Sequence, residues 1–357
     1  MLPDLAPESV APALVRFLVP GISGRFRCGG LSVEQQTARL VASLCPTELV
    51  TYRKRSPDHP YLDDCLAQEP PDPQVLWVVS WGFDVPGLIR RLNGRRVVYH
   101  AHSSQYGFSL PPGVPVLAVS RNTLGYWGDR APRNPLFLVP NALEPVWLDR
   151  GDRSARQRRP IDVLVQARKS STYVLSRLVP ALRQSGLVVE VQIGWVDDLV
   201  DLFNRSTVYL YDSVEYWRGR GVTEGFGLPP LEALACGCVV FSSLNHALSD
   251  HGVSGQALNQ LGCGRFSFDL QRVQAAALDP DAWRLSPQDL DYLLGNHSEA
   301  LLKVRWSTVL DQLDALHSSK GPELRTPSRL RLRLESRLQR VQRVVKRLAG
   351  CHSSTPN

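Results

Sequence analysis

Two glutamates, Glu224 and Glu232, are separated by seven residues and flank a glycine-rich turn, Gly225-Phe226-Gly227. Prolines and apolar residues at helical spacing follow the turn, which predicts that a helix opens there. Glycine lets a backbone adopt left-handed angles and come close to a ligand, and we expect both glycines to do so. The N–H groups from Phe226 to Leu228, together with the helix dipole, should therefore attract an anion such as phosphate.

The two carboxylates need a different partner, because they would repel a phosphate held beside them. Hydroxyl groups are the natural partners, and a ligand that carries both phosphate and sugar would supply them. A simpler interpretation is a capped helix in a parallel sheet, in which Glu232 merely stabilises the first turn. The local pattern leaves both interpretations open.

A pair of cations, Arg168 and Lys169, comes shortly after an apolar stretch that predicts a strand over residues 161–165. Ligands of parallel sheets bind at the carboxyl ends of the strands, so we expect both side chains to face the cleft. Two cations in that place would neutralise a departing diphosphate and remove the need for a metal ion. The alternative is a solvated charge pair.

Two histidines, His100 and His102, follow the apolar stretch 96–99 in the first half of the chain. Alternation along a strand points both side chains to the same side. A bend at Ser103 would make His102 the more exposed of the two, and His100 competes with it for a role in binding.

A glycine pair, Gly29 and Gly30, ends the loop that follows the first predicted strand, 15–20. Ser32 and Gln35 match a capping box, which predicts that a helix starts at Ser32. A strand, a glycine pair and a helix N-terminus in succession indicate close approach to a ligand.

Predicted strands alternate with helices twice along the chain, which is typical of two doubly wound, Rossmann-like parallel-sheet domains. The first domain should cover residues 1–140 and the second 161–318, with a linker at 141–160. Strands are predicted at 15–20, 49–52, 75–79, 96–99, 116–119, 137–139, 161–165, 188–193, 208–211 and 238–241. We also expect an irregular segment at 53–74, a helix at 271–277 and mostly helix over 287–316.

A basic segment, residues 319–357, follows the second domain. Residues 320–357 hold ten Lys or Arg and two Glu, so this part carries +8 and the rest of the chain −1. The segment predicts an amphipathic helix with a heptad-like apolar stripe at Leu334, Leu338, Val341, Val345 and Leu348. It could lie on an anionic membrane, form a coiled coil, or stay solvated. We expect no nucleic-acid partner.

The composition is that of a globular protein, with 43% hydrophobic and 21% charged residues. No stretch approaches the roughly 18 apolar residues of a membrane span. The first twelve residues lack the basic and apolar regions of a secretory signal. The seven cysteines are scattered, which favours a reducing cytoplasm.

The segment from Glu224 to Val240 carries G-F-G between its acids and E-A-L-A-C-G-C-V-V from Glu232 onward. It resembles the E-x7-E signature of retaining glycosyltransferases with the GT-B fold. The resemblance covers roughly residues 15–316. It implies two domains facing a cleft, with the last helix crossing back onto the first domain. It also implies transfer of a hexose from a UDP-, GDP- or ADP-sugar to an acceptor hydroxyl with retention of configuration, without cofactor or metal.

The resemblance assigns roles in the second domain. Glu224 would contact hydroxyls of the donor sugar, and Glu232 would accept hydrogen bonds from the ribose. Residues 225–228 would hold the sugar or diphosphate through their N–H groups. Arg168 and Lys169 would bind the diphosphate, although members of the family usually separate the two cations and place Gly after the Lys.

In the first domain, the resemblance assigns His102 to the donor sugar across the cleft, and it places Gly29 and Gly30 near the phosphates. The acceptor would be a glycan, a lipid or a polysaccharide precursor. Two alternatives remain at this point: a GT-B sugar-nucleotide epimerase and a non-catalytic scaffold. Epimerases lack this form of the signature, and the intact polar residues argue against a scaffold.

Overall fold

The computed structural model describes residues 12–26, 28–154, 158–243, 245–251, 258–262 and 265–318, and also 333–334, 337–338 and 341. The chain divides into two units, Met1–Ser318 and Ser319–Asn357. Most of the predicted basic helix, including Val345 and Leu348, lies outside the described residues. Leu334, Leu338 and Val341 are helical and more than half exposed.

A six-stranded parallel sheet forms the first domain, in the order β2-β1-β3-β4-β5-β6. Its strands are rich in Val and Leu, and β3 (V-L-W-V-V) is buried throughout, as expected of a sheet covered on both faces. The elements are β1 (Leu14–Val19), α1 (Gly29–Val41), β2 (Thr47–Thr51), α2 (Leu62–Gln68), β3 (Val75–Val79), α3 (Val85–Arg91), β4 (Arg96–Ala101), β5 (Val116–Ala118), α4 (Arg121–Arg130) and β6 (Leu136–Leu138).

A five-stranded parallel sheet forms the second domain, in the order β11-β10-β9-β7-β8. A π-helical turn, Val174–Leu178, runs into α6. The elements are α5 (Pro145–Arg150), β7 (Ile161–Gln166), α6 (Val179–Gln184), β8 (Val189–Gln192), α7 (Leu199–Asn204), β9 (Ser206–Tyr211), α8 (Val214–Arg218), α9 (Leu228–Ala235), β10 (Val239–Ser242), β11 (Asn259–Gln260), α10 (Phe266–Leu278), α11 (Pro287–Gly295) and α12 (Glu299–Ser318).

The last helix of this unit, α12, packs on the first domain. Trp306 is fully buried, and its ring centroid lies 5.5 Å from that of Phe17 in β1. Arg96 of β4 pairs with Asp314 of the helix. The terminal helix of this unit therefore packs back onto the first domain, where the resemblance placed it. Among the described residues, none of the helices combines the length and the apolar composition that a membrane span requires.

The predicted start of α1 at Ser32 is wrong, because the helix begins at Gly29. Ser32 lies inside the first turn, and its hydroxyl donates back to the Cys28 carbonyl at 3.4 Å instead of capping the helix. The capping-box pattern therefore marks a helix interior here. The glycine pair forms the first two residues of the helix.

Three further predictions of irregular or helical structure need correction. The segment 53–74 contains α2, which buries Leu62 and Cys65. The predicted linker 141–160 contains α5, which packs Trp147 into the core of the second domain. The helix expected at 271–277 spans Phe266–Leu278. The short helices bury only one or two side chains each, so their sequences show too little periodicity to reveal them.

Candidate active site

The side chain of Glu224 lies in the loop between α8 and α9, where three donors hold one of its two oxygens. Oε2 accepts hydrogen bonds from the Tyr211 hydroxyl, from Ser213 Oγ at 3.1 Å and from Trp217 Nε1 at 2.5 Å. Tyr211 ends β9, and Trp217 belongs to α8. The residue is 5% exposed. Oε1 has no hydrogen-bond partner among the described residues, so a fixed carboxylate keeps one oxygen open for a ligand.

Lys169 follows β7 and joins the same group of side chains. Its Nζ donates to the Tyr211 hydroxyl at 3.4 Å and lies 5.1 Å from the centre of the Trp217 ring. Because β7 and β9 are neighbours, their carboxyl ends bring Lys169 and Tyr211 together. Burial raises the pKa of Tyr211 well above its usual value, and the nearby Glu224 charge raises it further. Tyr211 therefore stays protonated and links the cation to Glu224.

Glu232 lies in the second turn of α9 and is partly buried. Burial raises its pKa to about 7, although the positive charge of Lys169 opposes this rise. The carboxylate makes no hydrogen bond to any residue that the structure describes. Glu232 thus lies close enough to Lys169 for their charges to interact, and its carboxyl group changes charge near neutral pH.

Arg168 is exposed beside the same site. Its Nε donates to the Tyr216 hydroxyl at 3.3 Å, and the Arg220 guanidinium stacks on the Tyr216 ring with its Cζ 3.6 Å from the centroid. Arg168 and Arg220 therefore both lie beside Tyr216 of α8, next to the site that contains Lys169.

The first domain approaches this loop through residues 102–104. Ser103 Oγ donates to the Thr223 carbonyl at 2.6 Å, and the hydroxyls of Ser104 and Thr223 lie 2.7 Å apart. A Cβ atom on Gly225 would lie only 1.4 Å from the His102 carbonyl oxygen. The backbones of the two domains are therefore in direct contact next to Glu224.

Because of this contact, one of the two glycines is needed for a reason other than its backbone angle. Gly227 has a φ of +84°, as predicted, and forms the N-cap of α9. Gly225 does not have a positive φ, so the expectation of a left-handed angle there is wrong. Gly225 is required because the His102 carbonyl leaves no room for a side chain.

Two buried histidines, His251 and His297, contact the glycine-rich turn, and no sequence pattern indicated them. His251 Nε2 donates to the carbonyls of Phe226 and Gly227 at 2.6 and 3.1 Å. The Phe226 ring, itself buried, packs against the rings of His251 and His297 with centroids 4.8 and 5.2 Å apart. Burial lowers the pKa of His251 to about 4 and that of His297 to about 3, so both are neutral at physiological pH. The turn that ends in Leu228 is thereby held rigidly.

His102 and His100 both contact the carboxylate of Glu34 in α1, a residue that sequence reasoning missed. His102 Nε2 lies 2.6 Å and His100 Nδ1 lies 2.9 Å from the same oxygen, Oε1. The His100 side chain is 1% exposed and that of His102 is 18% exposed. Their ligand atoms lie within 4.8 Å of one another, as in a metal site. One carboxylate oxygen, however, already accepts one hydrogen bond from each ring.

Gly29 and Gly30 are the exposed first residues of the helix that carries Glu34. A Cβ atom on Gly29 would meet no atom within 4 Å, and one on Gly30 would meet only Cys28 Sγ at 3.9 Å. No hydrogen bond joins them to the glutamates in the described part of the chain. A side chain at either position would therefore extend into open space among the described residues.

Neither a protein-family model nor a curated protein sequence matches this chain. Solved structures do. Sucrose-phosphate synthase from Thermosynechococcus elongatus is 14% identical, with 85% of this chain and 99% of that chain covered and a TM-score of 0.61. A glycosyltransferase from Rickettsia africae is 12% identical, with 86% and 99% covered and a TM-score of 0.60. The Anabaena protein HepE, in complex with UDP and glucose, is 15% identical, with 84% and 100% covered and a TM-score of 0.59.

These similarities, together with the two parallel sheets, establish the GT-B fold for this chain. They extend over almost the whole length of each neighbour. The predicted fold class is therefore confirmed, including the two Rossmann-like domains.

Proposed function

We propose that this protein is a retaining, metal-independent glycosyltransferase that moves a sugar from a nucleotide-diphosphate sugar to an acceptor hydroxyl. The observation that carries the proposal is the arrangement of Glu224. Three donors hold Oε2 while Oε1 stays open, at the point where the two domains meet. A carboxylate that is fixed in this way is prepared to accept hydrogen bonds from a sugar without reorganising.

The donor is a UDP-, GDP- or ADP-sugar. Glu224 Oε1 binds hydroxyls of the sugar, and Glu232, which has no protein partner in the described part of the chain, accepts from the ribose. The N–H groups of residues 226–228 hold the sugar or diphosphate at the start of α9. Gly29 and Gly30 face the phosphates from the first domain. The Anabaena neighbour with UDP and glucose bound supports a donor of this class.

Charge neutralisation is the main contribution of the protein to the reaction. As the bond between sugar and diphosphate breaks, negative charge grows on the diphosphate, and Lys169 and Arg168 stabilise it. His102 meets the donor sugar from the first domain. The departing phosphate takes the proton of the acceptor hydroxyl, which attacks from the same face and retains the configuration. Glu224 is held by Tyr211 and Trp217 and serves as a binding group in this route rather than as a nucleophile.

The acceptor is a glycan, a lipid or a polysaccharide precursor, and the protein acts in the cytoplasm. Peripheral contact with an anionic membrane through residues 320–357 would suit a lipid-linked acceptor. The exposed helical positions Leu334, Leu338 and Val341 support an amphipathic helix there.

The test is a transfer assay over a panel of nucleotide sugars, with NMR of the product to assign the anomer. Glu224→Ala and Lys169→Ala should each lower turnover at least about a hundredfold without loss of the fold. Glu190→Ala and Lys303→Ala remove the same charges from side chains that make no hydrogen bond or ion pair with a site residue in the described part of the chain, and they should stay close to wild type. Near-wild-type transfer by either site variant would rule out its role.

The same assay separates the competing functions. Conversion of the donor to an epimer without any acceptor would indicate an epimerase. No turnover and no binding with any nucleotide sugar would indicate a scaffold. An inverted product would contradict retention while leaving sugar transfer intact.

A further inference from the structure

The carboxylate of Glu34 is an unusual buried group in the first domain. It is 2% exposed, and a single oxygen, Oε1, receives both His100 and His102. The other oxygen, Oε2, is buried without a partner. A buried charge without full compensation is costly, and a glutamine would fill the same space at a lower cost. The arrangement therefore calls for a reason beyond packing.

The contacts determine where the protons lie. An ionised carboxylate can only accept hydrogen bonds, so each ring nitrogen facing Oε1 must carry a proton. Burial would raise the pKa of Glu34, but the charge interactions and hydrogen bonds with His100 and His102 outweigh it and hold the pKa below its usual value. Glu34 is thus ionised. In its neutral form, His102 is protonated at Nε2 and carries a lone pair on Nδ1.

The two histidines differ in what their second nitrogen can do. Nε2 of His100 is enclosed and has no partner. Nδ1 of His102 also has no partner among the described residues, but it is not enclosed, and the side chain is 18% exposed. The carbonyl of His102 touches Gly225, next to Glu224. The backbone of His102 therefore lies directly beside the loop that carries Glu224.

We propose that Glu34 is a positioning residue, which fixes His102 as the Nε2–H tautomer and presents Nδ1 as a hydrogen-bond acceptor to a hydroxyl of the donor sugar. This inference rests on the proposed function only where it names the bound hydroxyl as one of a donor sugar. Helix α1 begins with Gly29 and Gly30 and also carries Glu34. The same helix would therefore orient His102 and face the phosphates.

The tautomer can be measured directly on the full chain without substrate. Uniform 15N labelling of the eight histidines and two-dimensional spectra of the imidazoles distinguish protonated from unprotonated ring nitrogens. The His102→Gln variant assigns the His102 signals. In the neutral form of its ring, wild-type His102 should show a protonated Nε2 and an unprotonated Nδ1. The opposite tautomer, or an even mixture, would overturn the inference.

Variants of Glu34 test its influence on His102. Glu34→Leu removes the acceptor, so the His102 signals should shift toward a mixture of tautomers, and kcat should fall on the order of tenfold to a hundredfold. Glu34→Gln keeps an acceptor oxygen, so it should retain the Nε2–H tautomer and recover most of the activity. An unchanged tautomer in the leucine variant would refute the positioning role.

A matched control lies two residues further along the same helix. Gln36 is also buried, and its Nε2 donates to Glu299 of α12 at 3.0 Å. Gln36→Leu should lower the melting temperature but leave the His102 tautomer and kcat unchanged. If the Gln36 variant altered the tautomer as much as the Glu34 variant, general loosening of α1 would explain both. A protein that transfers no sugar at all would contradict the proposed function, whereas the tautomer result would stand on its own.

Discussion

Substitution of Gly225 by alanine tests how closely the two domains must approach. The new Cβ would lie 1.4 Å from the His102 carbonyl oxygen, and contacts below 3.0 Å are essentially never observed. The loops must therefore separate by about 1.6 Å, which is the difference between these distances. Such a shift breaks the hydrogen bond from Ser103 to Thr223 and the one between the hydroxyls of Ser104 and Thr223, at roughly 1 kcal/mol each, and lowers stability by about 2 kcal/mol.

The effect on turnover should be larger than the effect on stability. A misplacement of about 1 Å can cost about a hundredfold in rate, so we expect Gly225→Ala to lower kcat at least that much. Transfer kinetics and thermal unfolding measure the two effects separately. Gly219→Ala is the matched control, because its Cβ would meet no atom closer than 3.4 Å and its φ is not positive. Near-wild-type turnover of the Gly225 variant would refute the requirement for this contact.

Two further predictions concern pH. Because burial raises the pKa of Glu232 to about 7, the carboxylate that we propose as the ribose acceptor forms as the pH rises through about 7, and nucleotide affinity should increase over that range. Calorimetric titration of Glu232→Gln should not show this increase beyond the titration of the nucleotide itself. His251 has a pKa of about 4 in the folded state against 6.5 unfolded, so its contribution of about 3 kcal/mol is present above pH 6.5 and is lost as the pH falls toward 4. The melting temperature of His251→Gln should decline less over that range, and an identical decline would contradict the assignment.

The sequence revealed the elements that have long or unmistakable patterns. The apolar run 75–79 matches β3 at both ends. Gly237 lies just beyond the C-cap of α9 with a φ of +72°, a conformation that favours glycine at a helix end. These features depend on local residues alone. The turn at Gly227 belongs to the same class, because its left-handed angle requires glycine whatever the surroundings.

The contacts that complete the candidate site depend on residues distant in sequence. Tyr211 and Trp217 reach Glu224 from β9 and α8, and Glu34 reaches His102 across 68 positions. Sequence spacing carries no information on such pairs. The role of Gly225 could not be predicted for a similar reason. In a sequence, a glycine that lets two domains come into contact looks the same as a glycine that a turn requires.

The most direct measurement of the central claim is a crystal structure with the nucleotide sugar that raises the melting temperature most. We expect a sugar hydroxyl within hydrogen-bond distance of Glu224 Oε1 and the ribose beside Glu232, with the diphosphate at Lys169. A nucleotide sugar bound elsewhere, or bound in the cleft without contact to either glutamate, would contradict it.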